Sequence, residues 1–417
     1  MTYSLVMKNN KYKILVVPSD RTGVSKFRSV DPHLNLQKMY PDEFWVDIDY
    51  NPKLEDDEFL KQYDLIHYHR SLGPDFARSS RAIERLKKLG IPSIMDLDDY
   101  WLPTVDHPAH AIVKQNKLDE LIKNSVKEAQ NVTTTTTVFA DEISKLNKNV
   151  FVLPNAINPR EKQFQINKPK SELVRIGWLG GSSHLKDLEI LNGVSNVLNT
   201  THKDKFQFVL CGYDLRGSVT EINPQTNEQK QRPIKPHESV WYMYEKIFTD
   251  NYNIVGGDYK KFLERFEKGE YDGEENLPYR RVWTKPITTY ASNYNYFDIS
   301  LAPLKEHIFN KVKSQLKVIE AGFHKKALIA QNFGPYKIDC VNAFESGGSI
   351  NSKGNSILVD TSKNHKDWYR SIKRLIENPS LIEDLGEKLY ETVSPLYHID
   401  VVTKNRAEIY RELIRKS

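Results

Sequence analysis

Cysteine is nearly absent from this sequence. Cys211 and Cys340 are the only two in 417 residues, too few for a disulfide framework or a zinc-ligand cluster, so a reducing, cytoplasmic setting is expected. Long apolar runs are missing too. Nothing approaches the roughly 20 consecutive apolar residues that span a bilayer, and the opening MTYSLVMKNNKYK lacks the sustained apolar stretch of a leader peptide. An excess of one charge is also lacking. Sixty Lys and Arg against 55 Asp and Glu leave +5, with none of the concentrated basic tracts of a dedicated nucleic-acid arm. A polyanionic partner is permitted but not demanded.

What is present is a rhythm. Short apolar runs alternate with longer amphipathic stretches, the pattern of βαβ units with a parallel sheet. Strands are expected at 13–18, 44–49, 64–69, 92–97, 131–136 and 150–154. Helices fall between them, for example 74–90, which closes on Gly90. The polar segment 155–172, punctuated by Pro159 and Pro169, reads as a linker. A second set of strands follows at 173–180, 206–212, 281–286, 297–304, 327–332 and 356–360. This predicts an α/β chain of two domains, 1–160 and 170–398, with an inserted subdomain at about 213–280 and helical segments up to the C-terminus. The threonine run 133–137 suits a buried or edge strand.

Open parallel sheets bind ligands beyond the C-terminal ends of their strands, so the loops after strands are the candidate sites. IGWLGGSSHLKDLEIL runs from a strand through Gly180 and Gly181, with Ser182 or Ser183 as a helix cap and His184 and Lys186 in the first turn. Glycines allow close backbone approach, and a helix N-terminus favours an anion. A tight turn with a solvated lysine explains the stretch equally well. KVKSQLKVIEAGF, 311–323, reads as one helix with Val312, Leu316, Ile319 and Phe323 on its apolar face. Lys313, Lys317 and Glu320 fall on the other, with Ser314 as cap. Two lysines a turn apart near a helix start repel each other and oppose the helix dipole, which a bound diphosphate would relieve. A solvated face carrying a Lys317–Glu320 pair is the competing reading.

In the first half, Gly23 lies in a loop after a strand, positioned to approach a ligand. His67 and His69 end another strand beside Arg70. Asp96, Asp98 and Asp99 end a third, where carboxylates can bind a divalent cation, act as a base, orient sugar hydroxyls or cap the next helix.

In chain order, DRTGVSKFR, DLIHYHR, MDLDDYW, VLPNAINP, IGWLGGSSHLKDLEIL, YNYFDISLAPL and KSQLKVIEAGFHKKALIAQNFGPY resemble a GT-B glycosyltransferase of the family 4 type. The resemblance spans most of the chain outside 213–280 and is strongest over 297–336. DLDDYW is similar to variants found in tailed bacteriophages. It implies two Rossmann-like domains facing a central cleft, with a final helix, 399–417, crossing back onto the first domain. It further implies a nucleotide-sugar donor held mainly by the second domain, Lys186 on the diphosphate, Glu320 on the ribose, and Trp283 to Ile287 along the base pocket. The family's first glutamate of an E-x7-E pattern is here Val312, its glycine-following arginine is Gly181, and its His-Asp pair is replaced by Asp96 to Asp99. Asn310, Lys311 and Lys313 stand nearest to compensate.

The expected activity is sugar transfer from a nucleotide diphosphate donor, a UDP-sugar first, to a hydroxyl of a glycan, a protein or a hydroxymethylated DNA base. Retention is the expected outcome, with His69, Asp98 and Asp99 as catalytic groups. No metal and no further cofactor is required by this reading, and self-association is compatible with it. A metal-dependent enzyme using DLDD, a nucleotide-sugar epimerase and a non-catalytic binding protein are the rivals. Within the insertion and its end, Trp241, Tyr242, Tyr244 and Tyr279 beside Arg280 and Arg281 offer sugar stacking or nucleic-acid contact, against a small satellite core or an oligomer contact.

Overall fold

The computed structural model describes residues 11–417 apart from 168, 170, 223–228, 250–277, 347 and 361–364. The chain divides into two units. The first comprises Met1–Asn158, His307–Leu316 and Pro395–Ser417; the second comprises Pro159–Glu306 and Lys317–Ser394.

In the first unit, β-branched and aliphatic runs build β1 (Tyr12–Val17), β2 (Phe44–Ile48), β3 (Leu65–His69), β4 (Ser93–Leu97), β5 (Asn131–Thr134) and β6 (Val150–Val152). They form one parallel sheet in the order β2-β1-β3-β4-β5-β6. Strand order reverses beside β1, so the chain leaves β1 and β3 in opposite directions and opens a crevice between their C-terminal ends. Helix Phe76–Lys88 covers one face, burying Ala82, Ile83 and Leu86; Asp75 caps it by accepting from the Arg78 amide at 2.8 Å. Gly90 follows with φ +69°, where a side chain is disfavoured. Helices Asp31–Met39 and Ile399–Lys416 cover the other face, where Ala407 and Tyr410 join Ile14, Val16 and Leu65. The threonine run divides as its chemistry allows: Thr133 and Thr134 end β5, while Thr136 caps the helix Thr137–Ile143 at the Phe139 amide.

The second unit repeats the plan with β7 (Val174–Leu179), β8 (Phe206–Tyr213), β11 (Tyr279–Trp283), β12 (Ile299–Ala302), β13 (Ala327–Gln331) and β14 (Ile357–Val359); a separate antiparallel pair comprises β9 (Ser218–Ile222) and β10 (Gln229–Pro233). The main sheet is parallel, ordered β11-β8-β7-β12-β13-β14. Its reversal lies between β7 and β12. Two six-stranded parallel sheets flanked by helices make this an α/β chain.

Several sequence expectations are corrected here. The stretch 311–323 is not one helix: Ile308–Lys311 is a single turn, and a new helix begins at Leu316 and runs to Phe323. The break occurs because the chain changes units between Leu316 and Lys317. Val312 is buried in the first unit's core with Ile308 against it, whereas Ile319 and Phe323 are buried in the second unit. Residues 307–316 therefore group with the first unit, although they were expected in the second domain. Lys313 and Lys317 consequently do not share a helix, and Ser314 precedes the helix start instead of capping it.

The described part of the insertion divides: β9 and β10 form their own antiparallel pair, while the helix that follows joins the main core. Helix Val240–Thr249 places Trp241, Tyr244, Ile247 and Phe248 in the main core of the second unit. Residues 250–277 of that expectation lie outside the described residues. Arg280 and Arg281 are strand residues of β11, each less than a tenth exposed. Arg281 forms a bidentate pair with buried Glu245, at 2.7 and 2.8 Å, and Arg280 lies over the Tyr296 ring. Trp241, Tyr244 and Tyr279 are likewise buried, so these five cannot present a nucleic-acid or sugar platform.

Candidate functional site

At the first unit's strand reversal, three loops meet in one polar network. Ser19, two residues past β1, places its Oγ 2.6 Å from His69 Nδ1 at the end of β3. His69 Nε2 lies 2.9 Å from Asp98 Oδ1, just past β4. Arg70 Nη2 donates to the same Asp98 oxygen at 3.2 Å and lies 3.6 Å from Asp99 Oδ2. Arg70 holds a left-handed backbone, φ +65°, a conformation that costs a non-glycine residue about 1 to 3 kcal/mol and persists only where the surroundings impose it. Its amide donates to the Asp96 carbonyl at 3.0 Å. Strain at the end of a strand beside three titratable groups is the mark of a site.

The two neighbouring carboxylates are driven apart. Burial opposes ionisation of Asp98, but Arg70 and His69 outweigh it and hold its carboxyl well below the usual range. Asp99 moves upward, first through desolvation and then through the Asp98 charge, with Arg70 and Lys313 pulling the other way. Its side chain remains two-fifths exposed. A pair whose proton affinities diverge divides naturally into a fixed charge and a group that exchanges protons.

Asp96 is engaged elsewhere. Its carboxylate receives Arg28 through Nη2 and Nε at 2.6 and 2.9 Å, and Thr133 Oγ1 at 2.7 Å, all fully buried. Arg28 also donates to the Leu153 carbonyl at 2.7 Å and to Asn155 Oδ1 at 3.2 Å. Asp96, Asp98 and Asp99 thus face different partners, and among the described residues no group of three or more His, Cys, Asp or Glu side chains could hold a metal ion. Beneath this layer the His33 and His67 rings pack against each other, tilted at 58° with centroids 4.5 Å apart. Burial, then the Arg406 charge, keeps both well below the ordinary histidine value.

Other first-unit candidates lie nearby in sequence order. Gly23 opens the short helix Gly23–Ser25 after the β1 loop. Asn310 is buried. Lys313 lies over the Phe309 ring, and Ser314 Oγ accepts from Asn155 Nδ2 at 3.1 Å.

The second unit's reversal is built differently. After β7 the chain passes through Gly180, Gly181, Ser182 and Ser183 to the helix Leu185–Leu188. A Cβ on Gly180 would meet the Trp178 ring at 2.5 Å, so glycine is required there; one on Gly181 would meet nothing within 4 Å. Tyr244 supports the turn, its hydroxyl accepting from the His184 amide at 2.9 Å and donating to the Gly181 carbonyl at 3.2 Å. His184 Nδ1 lies 2.8 Å from Asp187 Oδ2, while Asp187 Oδ1 accepts the Lys305 amide at 2.8 Å, tying the β7 turn to the loop after β12.

Lys317 reaches the same turn, donating to the Leu179 carbonyl above the Trp178 ring. Lys186 is exposed and pairs with Glu189 at 2.9 Å. Glu320 is buried, and each carboxylate oxygen accepts a tyrosine hydroxyl, from Tyr290 and from Tyr294 at 3.1 Å. Desolvation raises its affinity for a proton, against those hydrogen bonds and Lys317. Trp283 ends β11 edge-on to Tyr213, with ring centroids 5.2 Å apart; Ile287 is half-buried in the loop that follows.

The structure thus brings His69, Asp98 and Asp99 together in one unit, and Gly180 to Lys186 with Lys317 in the other. Sequence reasoning passed over Ser19 and Asp187, and it read Tyr244 as a stacking residue instead of the support of the β7 turn. Ser19 carried a usable signal, a hydroxyl directly beyond a strand end; the role of Tyr244 carried none, because its contact joins residues 60 positions apart.

This pair of α/β units defines the GT-B class of fold. No family model matches the sequence, and no curated protein matches it by sequence. Solved structures do match the fold. Sucrose-phosphate synthase from Thermosynechococcus elongatus is 13% identical, with 98% of this chain and 100% of that one covered, at a TM-score of 0.59. Anabaena HepE in complex with UDP-glucose is 12% identical over 96% and 99%, at 0.52. An alpha-glucosyltransferase bound to UDP and a 13-mer DNA containing an HMU base is 11% identical over 96% and 100%, at 0.53.

Proposed function

We propose that the chain transfers a sugar from a nucleotide diphosphate donor, a UDP-sugar first, to an acceptor hydroxyl, with retention at the anomeric carbon. The observation that carries this reading is the division of labour between the two strand-reversal sites. One is an open glycine turn leading into a helix N-terminus with Lys317 beside it; the other is a strained, hydrogen-bonded cluster of Arg70, Asp98, Asp99 and His69. Neighbours with the same fold bind UDP or UDP-glucose, which favours the uridine donor.

In this reading the turn Gly180–His184 and Lys317 receive the diphosphate, where backbone amides and an ammonium stabilise charge developing on the leaving group. Lys186 joins them by releasing Glu189. Glu320, already holding two tyrosines, keeps further lone pairs for a ribose hydroxyl; Trp283 and Ile287 flank the base. Asp99 or His69 takes the acceptor proton, while Asp98 stays ionised to orient His69 and Arg70. Gly23, Asn310, Lys313 and Ser314 complete the sugar surroundings, and Lys313 offsets the Asp99 charge. The protein would work as a soluble cytoplasmic enzyme without a metal. A glycan, a protein or a hydroxymethylated DNA base is a compatible acceptor, and burial of Arg280 and Arg281 removes the argument for DNA drawn from the insertion's aromatic and cationic residues.

The test is a panel of nucleotide sugars incubated with the protein, with and without acceptors, reading nucleoside diphosphate release and product anomeric configuration. UDP release dependent on acceptor is expected, unaffected by EDTA. Interconversion of the nucleotide sugar itself would mean an epimerase, and no nucleotide binding would overturn the reading.

A further inference from the structure

The loop bearing Ser19 also walls a groove of about 840 Å³ within the first unit, which runs from Pro18 and Ser19 past Tyr50 and Lys53 to the helix Phe76–Lys88. The volume lies within the roughly 300 to 1,000 Å³ of small-molecule sites. Arg78, Arg81 and Arg85 all line it, because spacings of three and four put them on one helix face. Arg85 is paired with Asp57 at 2.6 Å, and Arg78 lies 3.7 Å from Asp75. Arg81 and Lys53 are exposed, and among the described residues neither meets a carboxylate. Arg21 adds a third such cation. Its guanidinium lies 4.5 Å over the ring of Tyr50, a ring 38% exposed at the groove wall.

Two carboxylates also line the groove. Asp56 is committed to the helix it caps, accepting the Glu58 and Phe59 amides at 3.0 and 3.1 Å, which leaves Glu55 as the remaining anion. The balance favours an anionic guest. Tyr50, one face of its ring held by Arg21, gives the wall an apolar contact for a sugar, and Arg81 and Lys53 give a phosphate its partners. At one end, Ser19 touches both the groove and His69 Nδ1, so a guest held there has its hydroxyls beside the proton-exchanging cluster.

We infer that this groove is the acceptor subsite and that it takes a small phosphate ester, a sugar monophosphate, with the phosphate on Arg81 and Lys53 and the sugar ring toward Tyr50 and Ser19. The groove's size argues against a nucleic-acid chain, whose repeated phosphates require a longer basic track. This inference rests on the glycosyltransferase reading for the word acceptor, but not for binding.

Calorimetric titration of the full chain with a panel of hexose and pentose monophosphates, the parent sugars, a 12-mer oligonucleotide and UDP tests it. At least one sugar monophosphate should bind tenfold or more tightly than its parent sugar, and Arg81→Gln and Lys53→Gln should each weaken that binding by about tenfold. UDP affinity should be unchanged in both variants, which also shows that they are folded. UDP binding without any binding of a sugar monophosphate overturns the inference and leaves the transferase reading standing. Sugar monophosphate binding without UDP binding supports the groove and overturns the transferase reading. Oligonucleotide binding alone, weakened by Arg81→Gln, overturns the small-ligand assignment in favour of nucleic acid.

Discussion

The two units share a plan and differ where it matters. Both are six-stranded parallel sheets with one reversal of strand order. At the first reversal the chain concentrates ionised groups, with Arg70 strained between Asp98 and Asp99 and the buried Arg28–Asp96 pair beneath. At the second, the turn after β7 is glycine and serine, and the buried ion pairs tie strand arginines to other elements, Arg175 of β7 to Asp298 just before β12 and Arg281 of β11 to Glu245 of the helix Val240–Thr249. A site that moves protons needs fixed charges to set proton affinities; a site that admits a polyphosphate needs exposed amides and little side-chain bulk. In the proposed reading, one fold is elaborated in both directions.

The comparison predicts how each site breaks. The largest effect is expected from Asp98→Asn, which removes the fixed charge between His69 and Arg70. Turnover should fall about 100- to 10,000-fold, the usual contribution of a positioned acid or base, while UDP affinity measured by calorimetry stays unchanged. Equal loss of both would erase the division between the units.

Next in size is Asp96→Ala. It leaves the Arg28 guanidinium, 1% exposed, without its carboxylate, and breaking one side of a buried pair costs about 3 to 5 kcal/mol. Urea denaturation followed by circular dichroism should show that loss. A shift below about 1 kcal/mol would mean that the pair is replaced by other contacts.

The glycines of the second unit give the converse experiment. Gly180→Ala drives a methyl group into the Trp178 ring and should cost about 1 to 3 kcal/mol and weaken UDP binding. Gly181→Ala meets open space and should move stability by less than about 0.5 kcal/mol. Identical behaviour of the two variants would contradict the turn geometry.

A pH dependence of stability is expected as well, from the buried histidines His33 and His67 of the first unit and from His324 of the second, which burial lowers to about 4. His33 and His67 titrate well below their ordinary value when folded, so between the folded and unfolded values the unfolded chain binds more protons. Stability is therefore full above about pH 6.5 and falls as pH drops below it, by up to about 1.4 kcal/mol per unit for each histidine. Urea midpoints measured from pH 7.5 to 5 should follow that slope, and His33→Asn should reduce it.

Much of this architecture was legible in the sequence. Residue periodicity reveals the parallel strands because they are buried on both faces and read as apolar runs, and KILVV and ALIAQ each form a strand as expected. The candidate catalytic trio was legible for the same reason: His69, Asp98 and Asp99 end such runs. The stretch 311–323 was not. Its apolar spacing is helical throughout, but Val312 and Ile319 satisfy the cores of different units, and periodicity cannot tell which core a residue serves. Arg280 and Arg281 misled for a related reason: charged residues in a short strand look exposed until their partners are found elsewhere, Glu245 of a helix 36 residues from Arg281 and the Tyr296 ring for Arg280. The Ser19–His69 contact is equally invisible, since it joins adjacent strands whose pairing is set by topology and not by sequence order.

The central claim is that the donor belongs to the second unit and the proton chemistry to the first. Titrating UDP into the wild-type protein, Asp98→Asn and Gly180→Ala, with turnover measured on the same samples, tests it most directly. The account predicts undiminished UDP affinity with lost turnover in Asp98→Asn, and at least tenfold weaker UDP binding in Gly180→Ala. UDP affinity that falls in Asp98→Asn and survives in Gly180→Ala would contradict it.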